Sequence, residues 1–128
     1  MRNLSNFEVV GKRAFFRPEG KVSFEQAIHL FARAIKHARE LGMRSLLVNA
    51  TGLTGFAPPT VLARHALAVK WAESAGTGLH VALVARNEFI DPQKIGVLMA
   101  QNRGVSGDVF TTEAAALSWL DSRHHNKE

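Results

Sequence analysis

Few side chains in this sequence can do chemistry, and their types narrow the options at once. None of the 128 residues is a cysteine, which excludes disulfides, thiol catalysis and thiolate-held metals or iron–sulfur clusters. The histidines are His29, His37, His65, His80, His124 and His125. A zinc site needs ligands that converge on one point, as two histidines at i and i+4 of one helix do. His29 and His37 are eight positions apart with Arg33 between them, and His124-His125 stand near the end of the sequence. They read as surface or boundary histidines, and no metal site is expected. Of the carboxylates, Glu88 and Asp91 fall in a loop after an apolar run, and Asp91 before Pro92 reads as a helix cap. The fragment Gly52-Leu53-Thr54-Gly55 lacks the length and the lysine of a phosphate loop, and neither GxGxxG nor GxSxG occurs. No nucleophile–base pair is legible, and the sequence reads as non-enzymatic.

Two sets of residues remain as candidates for binding. The first is Asn49, Thr51, Thr54, Thr60, Arg86 and Asn87, with Thr111 and Thr112 further on, all just beyond the ends of expected strands. Ligands gather beyond the carboxyl ends of strands in open α/β sheets, and free amides at helix starts attract anions. Arg86 adds a fork suited to a carboxylate or phosphate. This set implies a small anionic ligand, although helix capping uses the same hydroxyls. The second set is Arg64, Leu67 and Trp71. Leu62 and Trp71 are nine steps apart, or roughly 900° around a helix, so they fall on opposite sides. Leu62, Ala66 and Val69 form one apolar stripe; Leu67 and Trp71 form another beside Arg64. A helix on a sheet buries one stripe. The other must meet a neighbouring helix of the same chain, a second copy or a protein partner, and Arg64, Leu67 and Trp71 are the candidate interaction surface.

The elements that must hold these residues follow from period and punctuation. Phe7-Glu8-Val9-Val10, a turn at Gly11-Lys12-Arg13 and Ala14-Phe15-Phe16-Arg17 read as a hairpin that Pro18 and Gly20 end. Ser23 and Gln26 match a capping box, and Phe24, Ile28, Phe31, Ile35 and Ala38 make one helical face closed by Gly42. Residues 44–49 form a short apolar run suited to a buried parallel strand. Pro58 and Pro59 suit the first turn of a second helix ending near Ala75. Residues 79–85 are a further buried strand, and Asp91-Pro92 opens a third helix ending near Gly104. Residues 108–110 form a last short strand, and Thr111 or Thr112 caps a helix through Trp119 and Leu120. The order is β-β-α-β-α-β-α-β-α. It predicts an α/β domain over 1–120, with a four- to five-stranded, mostly parallel sheet, an N-terminal hairpin and helices packed on it. Residues 121–128 are expected as a polar tail.

Charge and length add bounds. The formal charge is +5; residues 1–75 carry 11 Lys/Arg and 5 Asp/Glu, and residues 76–128 carry 5 and 6. The basic residues are scattered without aromatic interleaving, so only weak, nonspecific nucleic-acid binding is expected. No apolar run reaches about 18 residues and Met1–Asn6 lacks a signal-peptide core, which predicts a cytoplasmic protein without a transmembrane segment.

Three stretches together resemble a family. They are Gly20-Lys21-Val22-Ser23 before the first helix, Leu46-Leu47-Val48-Asn49 followed by Gly52-Leu53-x-Gly55-Phe56, and the closing Phe110…Ala116-Leu117-x-Trp119-Leu120. The pattern, over about residues 6–120, is similar to small bacterial STAS-type proteins, relatives of the sporulation anti-anti-sigma factor and of sulfate-transporter cytoplasmic domains. The resemblance implies a four- or five-stranded sheet with helices on it, no cofactor, and work through binding as a regulatory or interaction module. Phospho-switched members place a serine, usually after Asp, at the start of the helix following the central strand. Here that stretch reads Phe56-Ala57-Pro58-Pro59-Thr60, with Thr54 and Thr60 the nearest hydroxyls, so the switch is not expected. The sequence resembles more closely the stand-alone branch, for which lipid or small-ligand binding is inferred by analogy.

Overall fold

The computed structural model describes residues 6–75, 78–91 and 93–125. The hairpin forms as β1 (Phe7–Val10) and β2 (Arg13–Phe16), joined by a turn in which Gly11 takes positive φ. After β3 (Gly20–Lys21) comes α1 (Phe24–Glu40), whose Ser23 hydroxyl accepts from Gln26 N while Ser23 N donates to the Gln26 side chain. That reciprocal capping box is the one the sequence announces. The chain continues through β4 (Ser45–Asn49), β5 (Leu53–Thr54), α2 (Val61–Ala75), β6 (His80–Val84) and a 3-10 turn at Asn87–Phe89. It ends in α3 (Ile95–Asn102), β7 (Ser106–Phe110) and α4 (Glu113–His125).

The main sheet has five strands in the order β1-β2-β4-β6-β7, antiparallel at β1–β2 and parallel elsewhere. This is the expected α/β architecture, with β6 in the interior of the sheet between β4 and β7. A separate two-stranded ribbon pairs β3 with β5. It is too short to leave a periodic signal and was read from the sequence as loop. In it Gly55 takes φ +104, and a Cβ there would stand 2.6 Å from the Val22 carbonyl oxygen, so only glycine fits.

Alternation along the strands splits the core into two layers. Ala14, Phe16, Leu46, Val48 and Val81 face α1, α2 and α3. Leu47, Ala82 and Val84 face α4 through Ala116 and Leu120. A polar row crosses the α4 side of the sheet at its lower end, where Arg13, Ser45, His80 and Ser106 are successive register partners. Arg13 Nε donates to the fully buried Ser45 hydroxyl at 3.0 Å, and Arg13 also pairs with Asp121 of α4 at 2.9 Å. His80 Nδ1 and Ser106 Oγ are 2.7 Å apart. A one-residue slip of any of these strands would move its polar member onto the apolar face, so the row helps to fix register.

Strand β7 begins at Ser106, two residues earlier than read from the sequence, and three helix boundaries differ as well. Helix α2 opens after Thr60, with Pro58 and Pro59 before the helix rather than in its first turn. Helix α3 starts at Ile95, after Lys94 in the left-handed region, because Asp91 turns the chain locally, its carboxylate accepting from Gln93 N at 3.1 Å. Pro92 lies outside the described residues. Helix α4 runs on to His125, into the stretch expected as tail, where Asp121 anchors it to Arg13.

The orientation of α2 corrects a larger expectation. The Leu67/Trp71 stripe faces inward and the Leu62/Ala66 side faces outward: Trp71 is 2% exposed and Leu62 is 78% exposed. Helix α2 packs between α1 and α3 and buries the Leu67/Trp71 stripe, while Leu62 and Ala66 of the other stripe stay exposed. Trp71 meets the Phe31 ring edge-on at 5.2 Å, and its six-membered ring lies against Gly107 of β7. An ideal Cβ at Gly107 would be 2.2 Å from Trp71 Cζ2. Gly107→Ala is therefore expected to destabilise the protein by about 1–3 kcal/mol through overpacking. Urea denaturation followed by tryptophan fluorescence checks this, and an unchanged midpoint would show that the indole can move aside without loss.

Candidate functional site

The first candidate set separates onto two sides of the sheet. Asn49 closes β4 on the α4 side, where its Nδ2 donates to Glu113 Oε2 at 2.8 Å. Its Oδ1 accepts from Thr51 N and Thr51 Oγ1 at 3.0 and 2.7 Å. Arg17, just past β2, donates through Nε and Nη2 to the two oxygens of Glu113 at 2.8 and 3.0 Å, a bidentate pair. Glu8 adds a longer contact to Arg17 at 3.5 Å. Thr112 caps α4 by accepting from Ala115 N at 3.1 Å, and Glu113 in the first turn meets the positive end of the helix. The Arg17 guanidinium and the Asn49 amide hold the Glu113 carboxyl below its ordinary value, against the opposing effect of burial. The same contact raises Arg17. These groups satisfy one another and form a clasp between β2, β4 and α4.

Two more of the set are occupied in local structure. Thr54 Oγ1 reaches the Gly20 carbonyl at 3.5 Å in the β3–β5 ribbon, and Thr60 Oγ1 accepts from Ala63 N at 3.1 Å as the cap of α2. Asn87 begins the 3-10 turn, its carbonyl accepting from Ile90 N at 3.1 Å.

Arg86 belongs to the other side, where the molecule has a cavity of about 130 Å³ at the carboxyl ends of the central strands, under α1 and α2. Phe16, Val48, Leu83 and Val109 form its floor. Ile28 and Phe31 of α1 and Leu67 and Trp71 of α2 form its walls. Ala27, Ala50, Ala68 and Ala85 line it as well, and these short side chains leave the volume open where the elements converge. Over the mouth, Phe24, Phe56 and Phe89 make a chain of rings with centroids 5.6 and 5.5 Å apart. Arg64 Nη1 donates to the Phe89 carbonyl at 3.1 Å and ties the 3-10 turn to α2. The Arg86 guanidinium lies 4.9 Å from the Phe89 ring centroid.

Arg64, Leu67 and Trp71, the residues expected on an interaction surface, thus line this cavity together with Arg86. The helical spacing of Leu67 and Trp71 was a true signal of something to be covered; what covers it is the interior. The aromatic mouth was not anticipated, since Phe24, Phe56 and Phe89 come from three separate parts of the chain and no local pattern links them. Among the described residues, no group of three His, Asp or Glu side chains is placed to hold a metal ion. No helix among them is long and apolar enough to cross a membrane.

The fold is similar to that of the NMR structure of the protein TM1081, with a TM-score of 0.50 and 14% identity. The match covers 92% of this chain and 89% of that one, and at this identity the likeness is one of fold. No family model matches the sequence, and no significant match is found among curated proteins.

The clasp makes a pH-dependent prediction. A carboxyl whose folded pKa is lowered contributes stability that is present above its unfolded pKa and lost as pH falls through the folded one. Glu113→Gln is expected to lower stability near pH 7 by about 1 kcal/mol, allowing for the partial exposure of the pair. The gap from wild type should close as the pH drops below the ordinary carboxylate range. Parallel thermal unfolding series from neutral to acid pH check this, and a gap independent of pH would remove the charge from the explanation.

Proposed function

We propose that this chain is a non-enzymatic binding module that seats a small apolar molecule in the cavity beneath α1 and α2. The carrying observation is the cavity itself, about 130 Å³ and walled almost wholly by apolar side chains. An apolar cavity of roughly 150 Å³ holds a benzene ring. Its place beyond the strand ends is where open α/β sheets gather their ligands. The STAS-type resemblance, with its implied work through binding and without cofactor, is consistent with this reading, and the fold likeness to TM1081 supports the architecture on which it rests. The phosphorylation switch of that family forms no part of it, because the stretch Phe56-Ala57-Pro58-Pro59-Thr60 lacks the Asp-Ser of phospho-switched members.

Ligand binding to the folded state alone raises thermal stability by mass action. Toluene-saturated buffer is therefore expected to raise the midpoint of wild type. Ala27→Leu, which adds a larger side chain into the cavity from a helical position, should fold and show no such shift. Equal midpoints for wild type with and without toluene would remove this reading.

A second reading, docking to a protein partner or a second copy, rests on different residues from those the sequence suggested. Val61, Leu62 and Leu98 are exposed large apolar residues on α2 and α3, two helices that pack together. Sedimentation across a wide concentration range tests the self-association form. That form predicts a dimer dispersed by Leu62→Glu; a monomer throughout discards it.

A further inference from the structure

Two residues that line the cavity have a side-chain nitrogen without a partner, and the charged one bears on the chemistry of an occupant. Two buried side-chain nitrogens have no hydrogen-bond partner among the described residues, Trp71 Nε1 and Arg86 Nε, and both residues line the same cavity. A buried donor without an acceptor is costly and rare in folded proteins, and its presence calls for a group that completes it. The nearest carboxylate to Arg86 Nε is Glu88 Oε2 at 3.7 Å, beyond hydrogen-bonding distance.

The charged groups at the cavity are Arg64, Arg86, Lys94 and Asp91. Lys94 Nζ is paired with Asp108 at 2.9 Å, and Arg64 is engaged with the Phe89 carbonyl at 3.1 Å. The Asp91 carboxylate accepts from Gln93 N. Arg86, partly exposed and in a long ion pair with Glu88, thus combines a positive charge, a buried Nε without a hydrogen-bond acceptor and a guanidinium lying against the Phe89 ring. A planar guanidinium held in this way matches a carboxylate better than a point charge would.

Size limits the remainder. The buried part of the space takes one ring or a short branched chain, and a lipid tail would have to run out through the open mouth. Resting on the cavity reading above, we propose that the occupant is a small aryl or branched-chain carboxylate, its carboxylate on Arg86 and its apolar body against Phe31, Leu67 and Trp71, rather than a long-chain lipid.

The test compares four probes, toluene, phenylacetamide, phenylacetate and hexadecanoate, on the intact chain. Trp119→Phe leaves Trp71 as the single tryptophan reporter, and a thermal-shift series on wild type gives an independent reading. Phenylacetate is expected to bind about tenfold or more tightly than its neutral amide. Arg86→Met should bring the two to the same affinity, and hexadecanoate should show no saturable binding. Equal affinity for the acid and the amide on the wild-type chain would overturn the carboxylate assignment, while toluene binding would keep the cavity reading intact. The wild-type comparison decides this even if Arg86→Met does not fold. Saturable hexadecanoate binding tighter than that of phenylacetate would overturn the size argument in favour of a lipid. Failure of all four probes would remove the cavity reading itself.

Discussion

The contact between the Trp71 indole and Gly107 is the constraint on which the helical layer depends. Helix α2 makes its main contacts with α1 and α3, while α1 also packs on β4 and α3 on β7. Trp71 joins the middle helix to the strand, and only an absent side chain at Gly107 makes room for it. Once the indole is seated, Leu67 and Ala68 of the same helix reach the cavity from one side and Phe31 of α1 from the other. The large ring fills the volume next to β7, and the run of alanines around it leaves the adjoining volume open. Tight packing in one place and a void beside it are thus two results of the same arrangement.

The two faces of the sheet divide the work. On the α4 side, polar groups are paired at both ends: Arg13, Ser45 and Asp121 at the strand starts, and Arg17, Asn49 and Glu113 at the strand ends. Such networks are worth most when every member is satisfied. The helical side has the reverse character, an apolar cavity with two donors left unpaired among the described residues. The residues Val48 and Asn49 at the end of β4 show the division in two consecutive positions, because successive side chains point to opposite faces. Val48 lies in the cavity floor, and Asn49 bonds Glu113.

Much of the fold was legible because the local signals agree with the global one. The Ser23–Gln26 box and the apolar spacing from Phe24 to Ala38 define α1, and the uncharged runs at 45–49 and 80–84 define the interior strands. The sidedness of α2 was not legible. Periodicity gives the angle between two apolar stripes and not which of them faces inward, and here α1 and α3 decide it. The candidate site was half legible for a related reason. Hydroxyls and amides beyond strand ends are shared by ligand sites and by caps, and Asn49, Thr51 and Thr60 proved to be occupied in the structure itself. Parity along β4 sets Asn49 opposite Val48, but which side carries three helices and which carries one is known only after the whole chain is folded. Arg86 stood out by type alone; Phe89, against which it lies, is three residues away, whereas Trp71, which lines the same cavity, is fifteen away.

The division between faces bears on how the cavity could respond to its surroundings. Acidification acts on the Glu113 clasp, which joins α4 to the ends of β2 and β4. Those ends also carry Phe16 and Val48, two residues of the cavity floor. The floor side chains are held by packing with α1 and by the sheet pairing of β2 with β4, neither of which involves an ionisable group in the clasp. Weakening the clasp therefore loosens the α4 layer before it alters the cavity wall. The Arg86–Phe89 mouth lies beyond β6, on a turn fastened to α2 through Arg64 rather than to α4. The Glu113 clasp and the proposed carboxylate site thus rest on different arginines, Arg17 and Arg86, on opposite sides of one sheet.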